Sequence, residues 1–136
     1  MPETVGDVQV LEFRLEDRNY CIDIAHVDEI VDKEELTPLP NSAPRVEGVM
    51  DLRGTTTTII NPKTVLDLDE TETGDRVVVL ESDGEGNVGW LIDAVNQVVG
   101  VDPDAVDESV ENESVRGIVR QDDGFVVWVK PEQINA

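Results

Sequence analysis

Apolar residues along this chain recur mostly at every second position, the period of a β-strand and not of a helix. Leu11, Phe13 and Leu15 alternate with Glu12 and Arg14, which predicts a half-buried strand. After the turn-forming run Glu16-Asp17-Arg18-Asn19, Tyr20, Ile22 and Ile24 alternate with Cys21 and Asp23, so the two runs read as a hairpin. Ala25 to Val31 fits either a short helical turn or a strand. Pro38, Pro40 and Pro44 make residues 37–44 a loop. Val46 to Leu52 and Thr55 to Ile60 predict two strands joined at Arg53-Gly54, with four β-branched threonines favouring extension. Asn61-Pro62 has the form of a helix cap followed by proline at the first helical position, predicting a short helix from Lys63 to Leu68. A charged loop (69–75), a buried strand (77–80), a Gly/Asp turn (82–87) and a returning strand (88–92) follow. Val95, Val98, Val99 and Val101 continue the strand pattern, and residues 102–114 read as a long acidic connection. Val115 to Arg120 and Phe125 to Val129 predict a last hairpin around Gln121-Asp122-Asp123-Gly124, and residues 131–136 the start of a terminal helix. Eight to ten short strands with little helix predict an all-β barrel or a pair of barrels. No heptad, low-complexity segment or repeat stands out.

Composition adds an unusual charge. The 136 residues carry 31 Asp+Glu against 10 Lys+Arg, a formal net charge of −21. The acids are spread through nearly every segment, so the charge repels itself throughout the compact state. Screening relieves that cost, since the Debye length falls to about 3 Å at 1 M salt. The pattern therefore predicts a protein adapted to molar salt, in preference to an acidic nucleic-acid mimic, whose acids would bunch along one stripe. Direct binding to nucleic acid or to an anionic membrane is disfavoured. No apolar run reaches the roughly 18 residues of a membrane span. Met1 to Asp7 shows no basic or apolar leader pattern, so a cytoplasmic location is expected. The length suits one domain.

Candidate chemistry is sparse. His26 is the only histidine and Cys21 the only cysteine, which leaves no internal disulfide. Cys21 reads as a small buried hydrophobe. Ser42, Ser82, Ser109 and Ser114 lie in loops without a nucleophile elbow. Gly84 to Gly89 matches GxGxxG, but a strand follows where a phosphate site needs a helix. Asp102, Asp104, Asp107 and Glu113 hint at a calcium loop, yet Asp107 stands where the sharp turn needs glycine. No enzyme, metal or cofactor is expected. The most informative stretch is Gly48-Val49-Met50-Asp51-Leu52-Arg53-Gly54, an arginine held between strands in a chain that avoids positive charge.

The order of these elements resembles the chemotaxis coupling family CheW. Leu11 to Leu15, Tyr20 to Ile24 and Val27 to Ile30 are similar to its opening, and Val46 to Gly54 to its most characteristic segment. Val88 to Val95 with Val98 resembles its later strand pair; Val115 to Ile118 and Asp122 to Gly124 resemble its closing hairpin. The resemblance spans roughly residues 8 to 134. It implies an all-β fold of two SH3-like five-stranded barrels sharing a core, with short helices. One subdomain would cover roughly 16–74 and the other 8–15 plus 75–136. It also implies a non-catalytic adaptor, monomeric when free, that couples the helical cytoplasmic tips of chemoreceptors to the regulatory domain of a CheA-like histidine kinase. The acidic composition would make it a halophilic, haloarchaeal-type member. Residue by residue, the resemblance assigns Glu29, Arg53 and Val98 to receptor binding and Val27 and Gly48 to kinase binding. Val27 and Val98 would floor a groove for an apolar helix, with Arg53 and Glu29 orienting it. Asp51, the threonines 55–58 and Asn61-Pro62 depart from the family pattern. Other readings the residues leave open are a coupler of another motility pathway, a nucleic-acid mimic and a carboxylate-based metal hydrolase.

Overall fold

The computed structural model describes residues 7–70, 74–81, 87–121 and 124–135. Among them the chain forms eleven strands in two sheets. One sheet has the order β8-β1-β2-β11-β10-β9 and is built from β1 (Val8–Leu15), β2 (Arg18–Asp23), β8 (Ala94–Val101), β9 (Val106–Asp107), β10 (Val115–Gln121) and β11 (Gly124–Val129). The other has the order β3-β6-β7-β5-β4 and is built from β3 (Val27–Asp32), β4 (Val46–Leu52), β5 (Thr55–Ile60), β6 (Arg76–Leu80) and β7 (Asn87–Ile92). The strand between residues 102 and 114 is the short β9, flanked by 3-10 turns at Pro103–Ala105 and Glu108–Val110. The ambiguous segment after β2 is both things in succession: a 3-10 turn at Ile24–His26, capped by the Asp23 carboxylate on the Ala25 N–H, and then β3.

Each sheet curls until its edges meet. In the second sheet the chain leaving β3 crosses to the far edge, where Thr37 and Val49 exchange backbone bonds of 2.9 Å in both directions. In the first, β9 follows β8 after only the Pro103–Ala105 turn and pairs with the opposite edge at β10. The result is two barrels. Strict alternation then sorts side chains into three cores. Val10, Cys21, Val101, Val119, Val126 and Trp128 fill the barrel made from the chain's two ends. Met50, Ile59, Val77, Val79 and Leu91 fill the barrel made from its middle. The opposite faces of the same strands meet between the barrels, where Leu11, Phe13, Ile22, Val78, Trp90, Ile92 and Val129 form one shared core. Trp90 packs edge-on against Phe13 at 6.1 Å between ring centres.

Two-sided burial corrects the expectation for Glu12. In a half-buried strand it would face water; in β1 that face is a barrel interior, and Glu12 is only 4% exposed. Sheet membership changes at residues 24–26 and at Asp93, whereas the sequence reading divides the chain near 16 and 75. The β1–β2 hairpin stays whole because its six register pairs link Val10–Leu15 to Arg18–Asp23.

Two short helices close the barrels. The Asn61 side chain accepts from the Lys63 N–H and starts α1 (Pro62–Val65) as predicted. The helix ends before Leu68 because Leu66 leaves helical geometry and Asp67 turns left-handed at φ +59°. The terminal helix α2 (Pro131–Asn135) buries Ile134 and accepts the Trp90 indole N–H on Asn135 Oδ1 at 2.7 Å.

The barrels also repeat one another. β4 and β10 show the same succession of buried and exposed positions, as do β5 and β11. Each hairpin carries a bulge at a glycine: Val46/Gly48 in one, Val115/Gly117 in the other. A Cβ on Gly48 would stand 2.5 Å from the Thr37 carbonyl oxygen, and one on Gly117 would stand 2.7 Å from that of Asp107. β3-β4-β5-α1-β6-β7 thus corresponds to β8-β10-β11-α2 completed by β1-β2 from the other end of the chain. That crossing over, with few identical residues, conceals the repeat in the sequence.

Candidate functional site

The β4–β5 hairpin turns on two residues, Arg53 at φ +50° and Gly54 at φ +85°. Two successive left-handed residues make the tight turn whose twist suits a hairpin. The turn is braced by the Gly54 N–H donating to Asp51 Oδ1 at 2.9 Å. Glycine or asparagine is favoured at the first of these positions. A left-handed L-residue with a long side chain costs roughly 1–2 kcal/mol. Arg53 therefore holds its place at a backbone cost, as Glu16 does at φ +58°.

That side chain reaches from the tip at one sheet edge to the other edge, where its guanidinium Nη2 donates to Glu29 Oε2 on β3. The pair is superficial, with side chains 67% and 31% exposed, so it contributes little to stability, about 0–1 kcal/mol. Val27 opens the same strand, half-buried against the shared core. Gly48 is buried on β4, next to Val49 of the closing bridge. The structure thus gathers Glu29, Arg53, Val27 and Gly48 on one barrel and joins only the first two directly. Val98 lies on the other barrel, 53% exposed on the edge strand β8, in register with Leu11 of the shared core. Val27 packs against that shared core, whereas Val98 does not.

Two further clusters escaped the sequence reading. Lys63, whose side chain is 2% exposed, places Nζ 2.5 Å from Glu16 Oε2 and 2.9 Å from Asp93 Oδ2. Asp93 also accepts the Glu16 N–H at 2.6 Å. Burial pulls the Lys63 pKa down, but the bonds to Glu16 and Asp93 outweigh it and the net direction is upward. The second cluster is at the barrel mouth around Glu12. Asn96 Nδ2 donates to its Oε2 at 2.9 Å and Gln97 Nε2 to its Oε1 at 3.1 Å. A lysine on a four-residue helix and a glutamate alternating with leucines carry no signal of burial in one sequence.

The remaining candidates have structural roles. Burial, then the nearby Glu12 carboxylate, pushes the Cys21 thiol up to about 12, which keeps it protonated and unreactive. His26 is exposed at the end of its turn. Asp102 and Asp107 spend their carboxylates on turn caps, accepting from the Asp104 and Ser109 N–H groups. Gly84 to Gly86 of the GxGxxG match lie outside the described residues; its end, Asn87–Gly89, belongs to strand β7. Among the described residues no helix is long and apolar enough to cross a membrane.

Comparison with known proteins agrees with this architecture. A solved structure, the scaffolding protein TtCheW from Thermoanaerobacter tengcongensis, superposes with a TM-score of 0.79 at 24% identity, covering 91% of this chain and 89% of that one. The chemotaxis protein CheW of Thermotoga maritima is 22% identical over 138 residues, covering 98% of this chain and 91% of the relative. The chemotaxis protein CheW of Treponema pallidum is 30% identical over 140 residues, covering 93% and 82%. The model of the CheW-like domain matches residues 9–136, and the chain belongs to that family.

Proposed function

We propose that this protein is a non-catalytic chemotaxis adaptor that couples the cytoplasmic tips of chemoreceptors to the regulatory domain of a CheA-like histidine kinase. It works in the cytoplasm at receptor arrays, is monomeric when free, and is built for molar salt. The observation that carries the reading, beside family membership, is Arg53: an arginine held in a left-handed turn, mostly exposed, and oriented by Glu29. A guanidinium fixed in direction offers several donors to a partner's carboxylate or carbonyl groups, and this geometry persists where salt screens a bare charge. Glu29 and Arg53 orient the receptor helix, and Val98 adds an apolar contact. Val27 serves the kinase side. Gly48 acts at one remove, because its bare Cα lets the Thr37–Val49 bridge form and so shapes the edge the kinase meets.

The test is Arg53→Gly. Glycine relieves the left-handed strain, so the melting temperature should hold or rise by the equivalent of about 1 kcal/mol. Coupling should fall, read as receptor-dependent kinase activity in a reconstituted mixture and as co-sedimentation with receptor at native salt. Undiminished coupling with Arg53→Gly would reject the assignment.

A further inference from the structure

Because the two barrels share one register, each mouth can be compared with the other. The bulge in β3 falls between Val27 and Glu29, and that in the β8–β1 pair falls between Val95 and Gln97. Gln97 is therefore the counterpart of Glu29, and Glu12 the counterpart of Val79, since Val79 pairs Gly89 where Glu12 pairs Cys21. At the mouth of the middle barrel a guanidinium sits on a carboxylate, Arg53 on Glu29. At the mouth of the other barrel there is again a carboxylate, Glu12, but it is 4% exposed and held by the neutral amides of Asn96 and Gln97. Among the described residues no lysine or arginine forms an ion pair with it. In the sequence, two aspartates lie between β10 and β11 where Arg53 and Gly54 lie between β4 and β5.

Glu12 lies at the floor of an open pocket of about 560 Å³, a size that admits a side chain. Val99 and Val126 line it, and Phe125 stands at its rim, 51% exposed. Arg120, also lining it, stacks its guanidinium over the Phe125 ring at 5.0 Å and leaves Glu12 alone. A carboxylate has about four acceptor sites, and two amide donors fill only two. Neutral donors leave the charge of a buried carboxylate without a counter-charge, which an incoming cation supplies. We propose that this mouth is a docking pocket for an arginine presented beside an apolar residue by a protein partner. The planar guanidinium takes the free lone pairs of Glu12, where Arg53 Nη2 makes a single bond to Glu29 Oε2, and the apolar neighbour covers Phe125. The proposal stands apart from the coupling assignment and does not depend on it.

The test uses the full chain, labelled with ¹⁵N, at 0.5 M KCl to suppress general attraction to its acidic surface. The probe is an acetylated tripeptide amide with arginine between two leucines. Its neutral isostere, with citrulline for arginine, and spermidine are the comparison ligands. The expected result is amide shifts clustered at Gln97, Val99, Gly124 and Phe125, no binding of the citrulline peptide, and roughly ten-fold or more weaker binding to Glu12→Gln. Asp104→Asn, which removes one exposed acid, should bind as the parent does. Phe125→Ala, at an exposed position, should weaken binding with an unchanged melting temperature, which keeps the test open if Glu12→Gln misfolds. Shifts elsewhere, equal loss in Asp104→Asn, or no binding at millimolar peptide would overturn the proposal. So would spermidine binding with the same Glu12 dependence, which would make the occupant a free polyamine.

Discussion

Replacing Lys63 by methionine tests how the two barrels are fastened. Lys63 comes from α1, Glu16 from the β1–β2 turn and Asp93 from the junction of β7 and β8, so the triad spans the seam between the sheets. Methionine keeps most of the volume and removes the charge. It strands Asp93, whose side chain is 1% exposed, with the Glu16 N–H as a remaining donor. Glu16, at 13% exposure, can turn towards water and suffers less. Removing one partner of a buried pair costs about 3–5 kcal/mol. With one carboxylate partly relieved, the lower part of that range applies. For a chain of this length about 3 kcal/mol corresponds to a fall in melting temperature of roughly 10 °C. Adding Asp93→Asn should restore about half of the loss, since an amide oxygen still accepts from Glu16 without a stranded charge. Thermal and urea unfolding should be followed in both low and molar KCl, because a loss due to general acid repulsion disappears with salt and a buried defect does not. A fall below about 3 °C, or a loss that salt abolishes, would refute a buried fastening.

Three further outcomes follow from the same geometry. Gly48→Ala should cost about 2–4 kcal/mol, from crowding the Thr37 carbonyl and from φ +148°, whereas Gly54→Ala, with open space around it, should cost about 1 kcal/mol; chemical denaturation measures both. The triad also has an alkaline limit. The folded Lys63 pKa lies above its ordinary value of 10.5, so its stabilisation is complete below that pH and is lost as pH rises through the folded value. The parent should therefore lose stability relative to Lys63→Met above about pH 10.5, and parallel pH curves would contradict the triad's role. Finally, the melting temperature should rise from low salt to several molar KCl, because −21 charges repel across every face; a flat or falling curve would remove the halophilic reading.

Much of the fold was legible because a strand writes its period into the sequence. The β4 and β5 limits, the Asn61 cap and the last hairpin emerge where alternation and turn chemistry placed them. Which face meets water was not legible. Alternation separates two faces, and only sheet closure decides that both are covered, so Glu12 reads as solvent-facing and is buried. The Lys63 triad is hidden for a related reason: its members are 30 and 47 residues apart and meet only across the seam. At the candidate site the odd cation in a hairpin turn was visible. Its left-handed backbone was half-visible through Gly54. Its partner Glu29, 24 residues away on the opposite edge, needs the closed barrel to be brought within reach.

The internal repeat separates what the barrel requires from what it leaves free. Val46, Gly48 and Pro62 recur 69 residues later as Val115, Gly117 and Pro131, and Val27 and Val31 recur on β8 as Val95 and Val99. Each recurrence has a structural cause. Val27 and Val95 pack against the shared core, Val31 and Val99 pack against the core of their own barrel, both glycines let a carbonyl approach a bulge, and both prolines open a short helix. The mouths do not recur. Glu29 becomes Gln97, Val79 becomes Glu12, and Arg53 stands where the sequence of the other hairpin has aspartate. Two copies of one fold in one chain agree where folding demands it and differ where it does not. On this argument Gly48 belongs with the fold, and a side chain there is expected to deform the edge at Thr37. Arg53 and Glu29 belong with the surface that differs, together with the carboxylate at the opposite mouth. A melting curve and a binding curve, measured on the same variants, distinguish the two groups: Gly48→Ala lowers the melting temperature, whereas Arg53→Gly and Phe125→Ala weaken binding without lowering it.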